Sequence, residues 1–323
     1  MEASPGTAQA LRPLGLGEIL DRAVNLTVKY FLLFALIAAA FAIPEAVLQY
    51  KSSEASGAFF AAVADAIKQS GQGKSATPVV PYFPSSSGVW TFVPLLWLFF
   101  IYPFLIAALM VASASVYFGR TITARAALSA ALRRWPQLIG INAMFVVSSL
   151  ILFVAVLLVG FFIGVGLFAI VSTLHAVGVA IAVAVGVVLI LLLVALELIV
   201  SLAYWMSYFA CVVEGSNCVV AFVRGIERVF SKIGMRRSLL IGLAYIAITI
   251  GILIVAALGS SLLVGLLHVT ALGAVFAAVL NLVSTAFSVC FMTIFYFDLR
   301  VREEGLDLEL AARGLETGVA PAP

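Results

Sequence analysis

The sequence predicts an all-α polytopic membrane protein with six transmembrane helices and three amphipathic helices on the cytoplasmic side. Composition is the first reason. Of 323 residues, 64% are hydrophobic and 10% charged, whereas a soluble domain carries about 25% charged residues. The second is a stretch of 79 residues between Arg134 and Glu214 whose only acidic, basic or imidazole side chains are His175 and Glu197. About 20 apolar residues cross a bilayer as helix, at about 1.5 Å per residue through roughly 30 Å of hydrocarbon. This stretch is long enough to cross twice. The third is the placement of the basic residues: fifteen of the eighteen lysines and arginines fall in four clusters, and only Lys51, Lys68 and Lys74 lie outside them. An excess of Lys and Arg marks cytoplasmic loops, so both termini are expected in the cytoplasm and the number of spans is even.

The chain opens with LRPLGLGEILDRAVNLTVKYF, in which Glu18, Asp21, Arg22, Asn25 and Lys29 recur at steps of three and four opposite an apolar face. That spacing predicts an amphipathic helix in the headgroup plane. Span 1 is expected over 30–50. LLFALIAAAFA within it has the small residues of a signal-peptide cleavage site. Glu18 and Asp21 upstream, and an apolar run that resumes after Pro44, favour an uncleaved span. Residues 51–88 are rich in Ser, Gly and Pro and form the one sizeable outer loop. Span 2 follows over 90–118, bent by Pro94 and Pro103. An Ala-rich basic helix carrying Arg120, Arg125, Arg133 and Arg134 leads into spans 3 and 4, which turn at His175. A third amphipathic segment has Arg224, Glu227, Arg228, Ser231 and Lys232 at helical spacing, Ser216 or Asn217 as N-cap and Gly234 as terminator. Spans 5 and 6, over 239–268 and 271–297, are separated only by HVT.

The whole chain, 1–323, reads as one membrane domain. RRWPQLIGI and RRSLLIGLA each close a basic segment and open a span, and each following hairpin turns at a histidine. The layout therefore reads as three helix-plus-hairpin units over 11–118, 119–213 and 214–298, followed by a tail at 299–323. Unit one is set apart by its outer loop at 51–88. Apolar stretches resemble one another cheaply, so coincidence stands beside duplication as the explanation.

Several function classes find no support. A net charge of +3 with short, scattered basic clusters does not point to nucleic acid. Cys211, Cys218 and Cys290 have neither metal-ligand spacing nor a disulfide framework, and His175 and His268 lack a nearby carboxylate or thiol. No phosphate-binding glycine loop, nucleophile elbow or zinc-protease motif occurs. The expectation is no catalytic centre, no cofactor and no metal.

Polar residues inside spans are the remaining candidates. Glu197 stands alone in VLILLLVALELIVSLAYW, seven residues before Tyr204, about 11 Å into hydrocarbon. A carboxylate there is protonated, paired or facing water. It is either a proton or substrate contact or a protonated group bonded to Ser201, Asn142 or another span. Asn281, Ser284, Thr285 and Ser288 give span 6 a polar stripe, and Gly259, Ser260 and Ser261 interrupt span 5. Small and hydroxyl residues of this kind serve helix packing.

The two ends carry more specific sequence. LRPLGLGEILDRAV and FYFDLRVREEGLDLEL resemble the membrane domain joined to bacterial glycerophosphodiester phosphodiesterases and the stand-alone membrane proteins similar to it. The resemblance implies a bacterial inner-membrane protein with this alternation of surface helices and spans. In that family hydrolysis belongs to a separate barrel with a His-Arg-Gly element, which this chain lacks, so the activity does not carry over. With both ends on one side, Glu18, Asp21 and Arg22 are expected to meet Asp298, Arg300 and Arg302 and close the bundle, while Glu303, Glu304, Asp307 and Glu309 face the basic loops. Arg125, Arg133, Arg134, Arg236 and Arg237 are the candidate contacts for anionic lipid headgroups, each contributing about 1 kcal/mol near such a surface. The leading expectation is a non-enzymatic scaffold, regulatory or lipid-interacting module with the bilayer and an unidentified protein as partners. The alternative is a small transporter, channel or lipid-translocating protein using Glu197 and Asn281.

Overall fold

The computed structural model describes residues 12–41, 96–174, 176–267, 270–306 and 308. Every regular element among them is helical: α1 (Leu16–Lys29), α2 (Phe31–Phe41), α3 (Trp97–Tyr117), α4 (Ala124–Leu174), α5 (Ala176–Val212), α6 (Cys218–Phe230), α7 (Lys232–Leu267) and α8 (Thr270–Glu304). Five of these, α3, α4, α5, α7 and α8, are long and apolar enough to cross a membrane. The all-α, multi-pass architecture read from composition is therefore present. The expected first span coincides with α2 as far as Phe41. The rest of that span, the outer loop at 51–88, Pro94, both histidines, Asp307 and the tail from Glu309 lie outside the described residues.

α1 is amphipathic as its spacing requires. Ile19, Ala23 and Thr27 face inward and pack on α8, while Asp21, Asn25 and Lys29 face out. Tyr30 ends it, and α2 departs at 74°. α3 is the central helix, two-thirds buried over its apolar window, whereas the corresponding window of α4 has no buried residue.

Pro103 produces more than a bend. It has no N–H to give the carbonyl of Phe99 four residues earlier, and the turn before it, Trp97–Ile101, widens to π-helix. The freed carbonyls are taken up by α4: Asn142 Nδ2 donates to Phe99 O at 3.0 Å and Trp135 Nε1 to Phe100 O at 2.9 Å.

The basic segment before span 3 is helical but not a separate surface helix. It is the first part of α4, which runs unbroken for 51 residues through Pro136. The third amphipathic segment is separate. Asn217 occupies its N-cap position, and it ends at Ser231 rather than Gly234, which instead lies in the first turn of α7.

α4 and α5 form one antiparallel hairpin, tied by Phe145 edge-on to Tyr204 at 4.6 Å. α7 and α8 form the other, tied by Tyr245 stacked on Phe291 at 6.0 Å. Within the second hairpin Gly259 admits the Phe276 ring, a close approach of the kind expected of these small residues, whereas Ser260 and Ser261 bond back to Ala257 O of their own helix.

The buried hydrophobic side chains fall within 14–41, 105–145, 198–241 and 286–306. They form a base where α1 and α6 meet the ends of the long helices. Tyr117 stacks on Phe297 there, so α3 arrives at the end from which α1 set out. Away from the base, Leu150, Phe162, Leu192 and Leu253 stand exposed on the hairpins. An apolar surface of that extent needs a bilayer around it.

Candidate functional site

The base concentrates the charged residues into two adjoining networks. One is centred on Asp298, whose side chain is 0% exposed. Its Oδ1 accepts the Leu14 N–H at 2.7 Å, its Oδ2 accepts Arg237 Nε at 2.7 Å, and Arg302 Nε reaches both oxygens at 3.1–3.2 Å. Arg237 and Arg302 also donate to Leu14 O, the latter at 3.0 Å. The backbone of a single residue of the amino-terminal segment is thus held by a carboxylate on its N–H and two guanidiniums on its C=O. An aspartate without solvent needs such partners, because burying a lone charge costs several kcal/mol.

The second network gathers residues from the turn after α5, from α6 and from the end of α8. Gly215, at φ 76°, lets the chain reverse directly after Glu214. Gly225 then brings α6 against α5 so closely that a Cβ on it would lie 2.1 Å from Ser207 Oγ. This approach delivers Arg228, 8% exposed, to Glu214 at 2.6 Å and to Glu304 at 2.6 Å. Arg228 also donates to the Tyr296 hydroxyl at 3.3 Å, and that hydroxyl in turn donates to Glu214. Its guanidinium lies 5.3 Å from the Tyr296 ring centre, within cation–π range. Burial alone would lower the pKa of Arg228, but Tyr296, Glu214 and Glu304 outweigh it and hold the guanidinium above its ordinary value. Arg300 Nε donates to Glu304 at 2.7 Å, and Arg224 pairs with Glu214 at 2.9 Å. Between them opens a depression of about 410 Å3 lined by Glu214, Arg224, Glu227, Arg228, Arg300 and Glu304.

The expected closure of the two chain ends exists, but through different atoms. Glu18 does not meet Arg300 or Arg302. It pairs with Arg12 and accepts the Gly15 N–H at 2.9 Å, capping its own helix, because its backbone donor is three residues away and always in reach. That hydrogen bond, more than the nearby arginines, lowers its pKa. Asp21 is exposed and makes no ion pair among the described residues. Arg22 turns to Tyr117. Asp298 and Arg302 do the closing, and Arg300 belongs to the second network. The acidic end faces the basic segment as expected, with Glu304 on Arg228 and Glu303 on Ser231.

The arginines assigned to headgroups divide in the same way. Arg237 is engaged by Asp298, and Arg134 donates to Gly215 O at 3.1 Å, so both serve the fold. Arg125, Arg133 and Arg236 are exposed and make no ion pair among the described residues.

The intramembrane candidates do not converge. Asn142 is buried and occupied, donating to Phe99 and accepting from the Tyr204 hydroxyl at 2.8 Å. Asn281 is exposed and accepts from Thr285 one turn on. Glu197 is exposed, and it bonds neither Ser201 nor Asn142.

Glu214, Tyr296, Arg228 and Glu304 were not singled out as site residues by sequence reasoning. A signal existed: Tyr296, Arg300 and Glu304 recur every four residues on one face of α8, and Asp298 and Arg302 repeat that step on another. Among the described residues no group of three His, Cys, Asp or Glu is placed to hold a metal. No family model matches this chain, and no characterised protein or solved structure does either, so its own geometry has to carry the functional reading.

Proposed function

We propose that the chain is a non-enzymatic module of a bacterial cytoplasmic membrane, with both termini in the cytoplasm, that acts as a scaffold or regulatory subunit through its charged base. The resemblance of its ends to the membrane domain of glycerophosphodiester phosphodiesterases supports the same reading. The observation that carries it is the division of the arginines. Arg228, Arg237, Arg300 and Arg302 pair with internal carboxylates, whereas Arg125, Arg133 and Arg236 are outward and pair with no acid among the described residues. A base closed by its own ion pairs, with spare cations around it, is built to hold a surface rather than to turn over a substrate. Anionic headgroups supply the countercharge, and a protein partner meets the same face.

The test is co-purification of lipid with the full chain from mixed phosphatidylglycerol and phosphatidylcholine membranes, read by native mass spectrometry. Neutralising Arg125, Arg133 and Arg236 to glutamine removes about 1 kcal/mol each, so the preference for the anionic lipid should fall on the order of a hundredfold. Unchanged retention of phosphatidylglycerol would overturn the lipid-binding part of the reading.

One observation favours translocation as a second reading: Glu197 stands exposed on the apolar flank of α5 with no ion pair among the described residues, where an ionisable group marks a pathway by default. Under that reading Glu197→Gln abolishes proton- or ion-coupled flux in proteoliposomes while leaving the protein level intact. Equal flux from both proteins removes it.

A further inference from the structure

The depression between α6 and the end of α8 has chemistry that its structural role does not use up. Its six lining residues are three arginines and three glutamates, so it has no net charge to attract a simple anion or cation. Yet its hydrogen-bonding capacity is only partly spent. Arg300, with 18% of its side chain exposed, uses Nε on Glu304, and its two terminal nitrogens make no hydrogen bond among the described residues. Arg224 uses one terminal nitrogen on Glu214 and Ser216 and leaves Nε and the other free. Glu227, exposed on the rim one helical turn beyond Arg224, makes no ion pair among the described residues. Free guanidinium donors thus face into a space edged by a free carboxylate. That pattern complements a ligand with a negative and a positive end, and planar guanidiniums favour phosphate for the negative one. The volume, about 410 Å3, lies within the ordinary range for small-ligand sites, about 300–1,000 Å3. On α6, the helix that carries Arg224 and Glu227, Val219, Val220 and Val223 are 44–57% exposed.

We propose that this depression binds a phosphate ester carrying a primary amine, the chemistry of an ethanolamine phospholipid headgroup, with Arg224 and Arg300 on the phosphate and Glu227 on the ammonium. The exposed valines take the start of the acyl chains when the ligand is a lipid. A trimethylated amine fits the charge but has no N–H to donate, so Glu227 selects ethanolamine over choline. None of the arginines assigned above to anionic lipid takes part, and the two readings stand or fall separately.

The experiment titrates delipidated full-length protein in detergent with phosphatidylethanolamine, phosphatidylcholine and phosphatidylglycerol of identical chains, following thermal stability. A parallel arm uses soluble phosphoethanolamine and phosphocholine. The ethanolamine lipid should bind on the order of tenfold more tightly than the choline lipid, as expected for one charge-assisted hydrogen bond. Glu227→Gln, at an exposed position without an internal partner, should erase that difference while leaving the ligand-free melting temperature unchanged. Displacement of the lipid by soluble phosphoethanolamine supports the proposal and assigns a soluble ligand of this chemistry as a second source. Failure to displace it supports the proposal with the lipid as sole source. The proposal is overturned if the wild-type protein does not prefer ethanolamine over choline, if the preference survives Glu227→Gln, or if phosphatidylglycerol binds as tightly as phosphatidylethanolamine to a variant whose Arg125, Arg133 and Arg236 are all changed to glutamine.

Discussion

Replacing Asp298 by alanine is expected to destabilise the protein by about 3–5 kcal/mol, the range found when one partner of a buried ion pair is removed. The loss does not come from the aspartate's own contacts alone. Without the carboxylate, Arg237 and Arg302 are left facing each other across the Leu14 carbonyl, and the Leu14 N–H has no acceptor. Detergent-solubilised protein should melt well below the wild type, and the segment before α1 should become susceptible to protease first. Combining Asp298→Asn with Arg237→Gln should recover part of the loss seen for Asp298→Asn alone, because one of the two guanidiniums that the carboxylate held leaves with it and only Arg302 stays unpaired. A melting temperature within a degree of the wild type would show that the network is incidental to stability.

Arg228→Met should be nearly as costly and should fail at a different place. Methionine fills much of the same volume, so the change isolates the charge. What is lost is the centre of a group in which Glu214, Tyr296 and Glu304 all rely on one guanidinium. Arg300 is 3.8 Å from Glu214, too far to replace a contact of 2.6 Å without moving. A loss of about 3–5 kcal/mol is again expected, with α6 detaching from α8 before the hairpins separate. Hydrogen exchange should show it as early loss of protection over Cys218–Phe230. Protection there equal to the wild type would show that Gly225 against Ser207 holds α6 without the ion pairs.

Much of the architecture was legible because apolar length and the placement of basic residues are coarse, additive signals. The end of one long helix at Leu174 and the start of the next at Ala176, and the separate helix begun after Asn217, follow from where polarity interrupts long apolar runs. Two matters were beyond such reasoning. The fusion of the 124–135 segment with span 3 depends on Pro136 being tolerated inside a helix, and proline chemistry alone argues for a break. The other is Leu14. Side-chain patterns describe which residues attract one another, but the atoms that close this base are the N–H and C=O of a leucine, and every residue type but proline supplies both. Glu18 looked like the natural partner for Arg302 because it carries charge. It was already committed to the start of its own helix, where the cost of reaching a partner is smallest.

The contact between Leu14 and Asp298 also sets an order of events in synthesis. The residues that meet there are 284 positions apart in the chain. At about 5–20 residues per second, the earlier waits roughly 15–60 s for the later to be made. Through that interval α1 has its buried face ready and no α8 to receive it, and Arg237 is inserted before its carboxylate exists. α8, made long after α1, is therefore the helix that locks it in place. A chain that stops short of Asp298 never acquires a closed base, so closure of the base reports that synthesis has passed through α8.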